Sequence, residues 1–590
     1  MGTGHSVDTP IRVAHLGIDS VISVVDDLLL EKIRKYYCQQ FDLPYTNIPR
    51  SADDGRAERV TAYLETVREI VALKFDQLKN APLFENSEKD RYFCLLPDSN
   101  PLKQTYNYIA SLGEGDTYKS YIRDLTEKMN PGSIDVNIMA KVDNLKSGSD
   151  GKPLSSQFSD ACAALRGYAQ SSLTSGLVLS AGFNPRLYNY IAEFKDFYRD
   201  SAGKIKKKII LKVSDFRSAM IQGKYLAKKG LEVAEFRIES GLNCGGHAFA
   251  SDGHLLPVLL EEFRTKRDQL LDNFLPLIKD YYQSEGRDFP VEDEEQLRPA
   301  ITVQGGIGNH GEVRRLLEAY QMDSTGWGSP FLLVPEATCV DKETTHRLAE
   351  AEEDDLYLSN VSPLGVPFNN IRGTGSDQHK KERIAKGKPG SQCPKGYLVS
   401  NTEFTEEPIC TASTQYQLLK INQIESSDLP SEEKKRQKSD VMEKSCLCDN
   451  LGNGALIKLG IVKPTFGKQA ICPGPNLAWF DRTYSLEEMV DHIYGRRDSL
   501  VPEERPHVFA KEIVMYVDYL ERRLDQAGED EQTFNQLKKM RKNLEKGLDV
   551  CEEIARSEPY GDENLASLNQ TVQQQRQRLR ELFERNEVMA

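Results

Sequence analysis

The segment Phe236–Ala250, FRIESGLNCGGHAFA, gathers residue types that chemistry needs. A β-type run, VAEF, leads into a glycine-rich loop that ends in a histidine. Gly245 and Gly246 remove side chains that would fence off a bound ligand. His247 then stands at a strand end, where parallel α/β proteins put their reacting groups. An imidazole there can take or give a proton, because its unperturbed pKa lies near neutrality. Cys244 sits beside it. Two further glycine loops follow strand-like runs, Gly305-Gly306-Ile307-Gly308 and Gly326-Trp327-Gly328-Ser329. Glycine lets backbone N–H groups approach an anion, and a following helix adds its dipole. Two such loops at the last two strands read as a phosphate site; either alone would read as a tight turn.

The elements that must position these residues are strand-like runs separated by helical patterns. The runs are Ile11–Leu16, Val21–Val25, Ser133–Met139, Gly176–Gly182, Lys208–Val213, Val233–Ile238, Ala300–Gln304 and Asp323–Gly328. Most are continuously apolar, as strands covered on both faces are. From the third run onward helical patterns intervene, for example Ser159–Tyr168, Arg217–Lys228 and Leu255–Tyr282. Eight βα units predict an α/β fold, a (β/α)8 TIM barrel over residues 9–27 and 131–372. Its strand ends would share one mouth.

Three pieces exceed a minimal barrel. Residues 28–130 read as a helical insertion, with helical periodicity over Leu28–Tyr37 and Arg59–Leu78. Residues 373–485 are irregular and rich in cysteine, and their lysine-rich stretch His379–Lys388 reads as a solvated loop. Residues 486–590 are helical and polar. There Leu565, Leu568, Val572, Leu579 and Leu582 form a short heptad seam that reads as packing within the chain, with pairing between subunits the alternative.

Five of the eleven cysteines crowd the irregular segment: Cys393, Cys410, Cys446, Cys448 and Cys472. In a reducing compartment such crowding favours metal or cluster ligation over disulfides. Four thiolates could bind Zn²⁺ or an iron–sulfur cluster. The spacing is not the paired Cys-x-x-Cys of a zinc ribbon, and a site without metal is the third reading. One cysteine is spare. The ligand set read from sequence is Cys393, Cys410, Cys448 and Cys472, because Cys448 rather than Cys446 opens the glycine-bearing Asp-Asn-Leu-Gly-Asn-Gly loop.

Composition narrows the class. The chain has 590 residues, 39% hydrophobic and 28% charged, which suits a globular protein. A net charge of −14 argues against non-specific binding to nucleic acid or anionic membrane. No apolar run approaches the ~20 residues that span a bilayer. The start MGTGHSVDTP lacks a basic-then-apolar signal, so a cytoplasmic protein is expected. MGTGHS fits a myristoylation pattern, but no basic patch follows to support an anchor.

The motifs in order resemble the nitronate monooxygenase family, which also contains flavin-dependent enoyl reductases. They are Asn137 in the third run, Gly182-Phe183-Asn184-Pro185 after the fourth, Gly245-Gly246-His247 after the sixth, GGIG after the seventh, and GSPFLLVPE at Gly328–Glu336. The helix with His346 and the exit VSPLGVPFNNIR are also similar. The resemblance implies an FMN cofactor with its phosphate on Gly305, Gly306, Gly328 and Ser329. It implies that Asn137 faces the flavin ring, that the backbone at Ala14 and His15 lies against it, and that Gly245 and Gly246 border it. Lys212 could place a positive charge near the ring or ribityl chain, or be a structural lysine. His247 would be the general base or acid. A base would serve a nitronate-type oxidation, and an acid would serve enoyl reduction of a carrier-bound acyl chain. An iron–sulfur cluster could relay electrons between the flavin and a carrier protein. The third alternative is a non-catalytic barrel scaffold in a larger complex. The insertion, the longer Glu-Ser-Gly-Leu-Asn-Cys lead-in and the cysteine-rich tail depart from the simple family members.

Overall fold

The computed structural model describes residues 3–112, 116–138, 141–145, 152–291, 293–527 and 531–587. Among the described residues ten strands are present: β1 (Ser20–Ser23), β2 (Ile134–Ile138), β3 (Ser175–Leu179), β4 (Lys207–Val213), β5 (Val233–Glu239), β6 (Gly246–His247), β7 (Ala300–Gln304), β8 (Ser324–Gly326), β9 (Leu356–Ser359) and β10 (Phe368–Ile371). Seven of them form one parallel sheet in the order β1-β2-β3-β4-β5-β7-β8. The register is direct: Asn137 of β2 lies between Ser23 of β1 and Val178 of β3. Lys212 of β4 lies opposite Arg237 of β5. Every residue of β3 is buried, as its unbroken SGLVL run requires.

The predicted closed eight-stranded barrel is wrong. The sheet is an open, seven-stranded α/β sheet, and no ladder joins β8 to β1 among the described residues. The missing strand is Ile11–Leu16, which folds as the helix Thr9–Val13 followed by a 3₁₀ turn at Ala14–Leu16. Pro10 presets the first helical turn, and Arg12 reaches back one turn to Asp8 at 2.8 Å. Ile11 and Val13 bury the helix's apolar side. A six-residue apolar run fits a buried helix as well as a strand, so periodicity could not separate them.

The remaining strands, β6, β10 and β9, make a small antiparallel sheet in that order. It pairs His247 with Phe368 and Gly246 with Asn369. The region between β1 and β2 is helical, including Asp27–Gln40 and Gly55–Asn80. Tyr63, Leu64 and Val67 of the longer helix share one core with Ile22 and Val136 of the sheet. The C-terminal helices Val508–Ala527, Glu531–Ala555 and Leu565–Glu587 join the same core. The seam residues Leu565, Leu568, Val572, Leu579 and Leu582 are all buried within this chain. No helix among the described residues is long and apolar enough to cross a membrane.

Candidate functional site

A cleft of about 910 Å³ opens over the C-terminal ends of β2, β3, β4 and β5. Ile138, Leu179, Val213 and Glu239 of those strands form its floor. Loops after β3 and β5 add Phe183 and Cys244, and the C-terminal helices add Tyr519, Arg523, Leu537 and Met540. His247 lines the cleft, but from the small antiparallel sheet rather than from a parallel strand end.

Several bonds fix the His247 loop. The amide of Asn369 donates to the carbonyls of Leu242, at 2.9 Å, and of Cys244. Ala248 N–H donates to Pro367 O at 2.9 Å, and Phe249 N–H donates to Gly241 O at 2.8 Å. The ring itself meets Ser362 Oγ through Nε2 at 2.7 Å. Phe368 stands edge-on to it, with ring centroids 5.0 Å apart. Burial, aided by the charge of Lys141, lowers the His247 pKa to about 4, so the imidazole is neutral at pH 7.

The cleft also holds Lys212 and Glu239 as an ion pair. Burial alone would lower the Lys212 ammonium, but the adjoining Glu239 carboxylate holds it above its usual value. Burial likewise opposes the Glu239 charge, and Lys212 reverses that and lowers its pKa. Lys141 stands 4.9 Å over the Phe249 ring, and its pKa is lowered by burial and by Lys212. Arg523 donates to Tyr519 Oη at 3.0 Å. Among the described residues neither Lys141 nor Arg523 makes a direct ion pair, although Glu239 attracts Lys141 electrostatically. Asp143 and Asp252 also line the cleft. Cys244 is no nucleophile here, since burial first and Glu239 second push its thiol up to about 12.

The other residues expected from sequence are dispersed. Ala14 and His15 lie at the N-terminal end of β2, away from the cleft, where Ala14 O accepts from Gly132 N–H just before β2 begins. Asn137 is 2% exposed inside β2 and does not line the cleft. A side chain at Gly245 would strike the Cys472 carbonyl, so this glycine accommodates the chain itself rather than a ligand. Gly305 and Gly306 have the left-handed φ values of 108° and 81°, but Asn243 presses on Gly306. Arg505, 3% exposed, donates to Gly306 O, Glu312 and Asn476 Oδ1, each at 2.7 Å. Glu312 takes the Gly308 N–H at 2.8 Å. Ser329 Oγ accepts from Gly474 N–H at 2.7 Å. Nothing crowds Gly328. The glycine loops after β7 and β8 are therefore largely packed by this chain's own C-terminal half.

Among the cysteines, Cys472 packs with Val361, Phe368 and Leu447 behind His247. Among the described residues no group of three or more histidine, cysteine, aspartate or glutamate side chains stands ready to hold a metal ion as the chain lies here.

Sequence reasoning passed over Lys141, Ser362, Phe368 and Arg523. Ser362 and Phe368 lie inside the VSPLGVPFNNIR stretch, where an exit segment gave no hint of a role beside the histidine. Arg523 lies on a polar helix nearly 300 positions downstream, and no local pattern marks it.

No known family model matches this chain, and no curated protein matches it in sequence. One similar solved structure is the enoyl reductase domain of MlnA from the macrolactin biosynthesis cluster of Bacillus amyloliquefaciens. The identity is 14%, over 72% of this chain and 88% of that chain, with a TM-score of 0.33. That score is too low to carry fold or function from one chain to the other.

Proposed function

We propose that the chain is an FMN-dependent oxidoreductase whose reaction takes place in the cleft beside His247. The observation that carries this reading is a neutral imidazole, anchored to Ser362, in a large cleft that Lys141, Lys212 and Arg523 also line. Lys141 and Arg523 would hold the flavin phosphate, in place of the packed glycine loops. Phe183 and Phe249, 44% and 49% exposed, offer aromatic faces to a planar ring. Bound FMN would supply two-electron redox chemistry.

The residues of this chain handle the proton. His247 takes a proton from a carbon acid; its neutral state at pH 7 leaves a ring nitrogen able to accept it, and a pKa near 4 makes it a weak base. Ser362 holds the ring in place. An acid role at pH 7 would need the imidazolium, which a pKa near 4 makes scarce. This favours nitronate-type oxidation over reduction of an enoyl group. The enoyl-reductase reading keeps one observation on its side, the apolar lining of Leu179, Val213, Leu537 and Met540, which suits an acyl chain.

The test is turnover of a small neutral nitroalkane, which still carries its α-proton, in air by FMN-loaded protein and by His247→Gln. The expected result is a loss of about 10²–10⁴-fold with FMN still bound. Unchanged turnover in the variant removes His247 from the mechanism. Turnover of an enoyl thioester with NAD(P)H, and none of the nitroalkane, selects the second reading. Failure to take up FMN leaves a non-catalytic scaffold.

A further inference from the structure

We propose that Cys393, Cys410, Cys446 and Cys448 form one four-thiolate site for a thiophilic metal centre, and that Cys472 takes no part in it. The backbone brings these four together from three separate segments. The loop carrying Cys393 is tied to the stretch after Cys410 by Ser391 N–H donating to Ala412 O at 2.9 Å. Asn401 and Ile409 close the intervening chain as an antiparallel bridge. Lys395, two residues beyond Cys393, donates to Cys448 O at 3.3 Å and meets Asp449 at 3.1 Å. Its third contact, Asp26 at 2.7 Å, fixes the loop to the helical region after β1. Cys446 is the N-cap of the helix Leu447–Lys458, and Cys448 lies in its first turn.

These contacts set the Cys393 and Cys410 segments side by side and hold them against the helix start that carries Cys446 and Cys448. Cys410 and Cys446 are buried, and Cys393 and Cys448 are half-buried. Four thiolates cannot share one site without a cation, and a metal ion bound there would displace the thiol protons to water. Cys472 is packed instead with Val361, Phe368 and Leu447.

The site lies directly behind the catalytic segment. Ser445 N–H donates to Val361 O at 3.0 Å, and Thr411 Oγ1 donates to Pro363 O at 2.7 Å. Residues next to Cys446 and Cys410 thus grip both sides of Ser362. This placement is independent of the FMN reading.

The test uses the full chain, expressed with iron and zinc and purified without air. The expected result is about one zinc, or about four iron with matching acid-labile sulfide, per chain. Zinc marks a structural centre, and iron with sulfide marks a cluster. Cys472→Ser retains the metal, and Cys446→Ser loses at least half of it. Should Cys446→Ser fail to fold, Co²⁺ titration of the reduced metal-free wild type and of Cys472→Ser supplies the second readout. One equivalent giving the absorption of a tetrahedral thiolate site in both supports the proposal. Wild-type protein that holds neither metal and gives no tetrahedral cobalt spectrum overturns it, as does loss of metal in Cys472→Ser alone.

Discussion

His247 Nε2 and Ser362 Oγ lie 2.7 Å apart, across 115 residues of sequence. The bond joins the loop after β5 to the segment between β9 and β10. Loss of one hydrogen bond of about 1–1.5 kcal/mol predicts that Ser362→Ala lowers kcat about tenfold. KM should change less than twofold, and Ser362→Thr should restore most of the rate. A rise in KM with kcat unchanged would instead place Ser362 in substrate binding.

A base with a pKa near 4 sets the pH profile. For a base, kcat/KM falls as pH falls through about 4 and is flat above it. Lys141→Met removes the positive charge that lowers this value together with burial, so the limb should move to higher pH. The check is a kcat/KM profile from pH 3.5 to 9. A limb near 6.5, or activity falling as pH rises above 4, contradicts the assignment of a buried neutral base.

Glu512 predicts a pH dependence of stability. It is buried, accepting from Ser240 Oγ at 2.7 Å and Leu256 N–H at 2.8 Å. Burial raises its pKa to about 7, and those two bonds only partly offset the rise. The folded state therefore keeps a proton that the unfolded chain releases near 4.5. Stability from this group is full below about 4.5 and is lost as pH rises through about 7. Glu512→Gln should raise the melting temperature at pH 8 and change it little at pH 4.5. At pH 8 the gain is on the order of 2–3 kcal/mol. Equal effects at both pH values would contradict the assignment.

Arg505 predicts why the glycine loops are closed. Arg505→Ala would leave the Glu312 carboxylate, with a fully buried side chain, facing no cation. Breaking such a pair costs about 3–5 kcal/mol. The chain should melt at a clearly lower temperature by calorimetry, and Arg505→Lys should not restore it, because lysine cannot supply three diverging donors. A melting temperature within 1 °C of wild type would contradict the packed-loop account.

Much of the sheet was legible in the sequence because its strands are buried on both faces and read as unbroken apolar runs. GLVLSAG and KIILKV contain most of β3 and most of β4. The first run failed for a local reason, Pro10 and the Asp8–Arg12 pair, and with it went the barrel. His247 was legible as a cleft residue, but its strand was not, since two residues paired across 120 positions leave no periodic signal. The glycine loops are ambiguous in sequence because glycine serves close chain packing as readily as it serves an anion. Choosing Cys448 over Cys446 rested on loop composition, which does not record the tertiary pairing that decides which sulfurs meet.

The most direct measurement is an equilibrium titration of FMN into wild type, Lys141→Ala and Ser329→Ala, read by flavin fluorescence. Loss of a charge-assisted contact worth about 1.5–3 kcal/mol predicts that Lys141→Ala weakens binding at least about tenfold. Ser329→Ala should stay within twofold of wild type, because its hydroxyl is already engaged by Gly474 N–H. The reverse order, with Ser329→Ala weakened and Lys141→Ala unchanged, would move the cofactor to the loops after β7 and β8 and contradict the cleft as its seat.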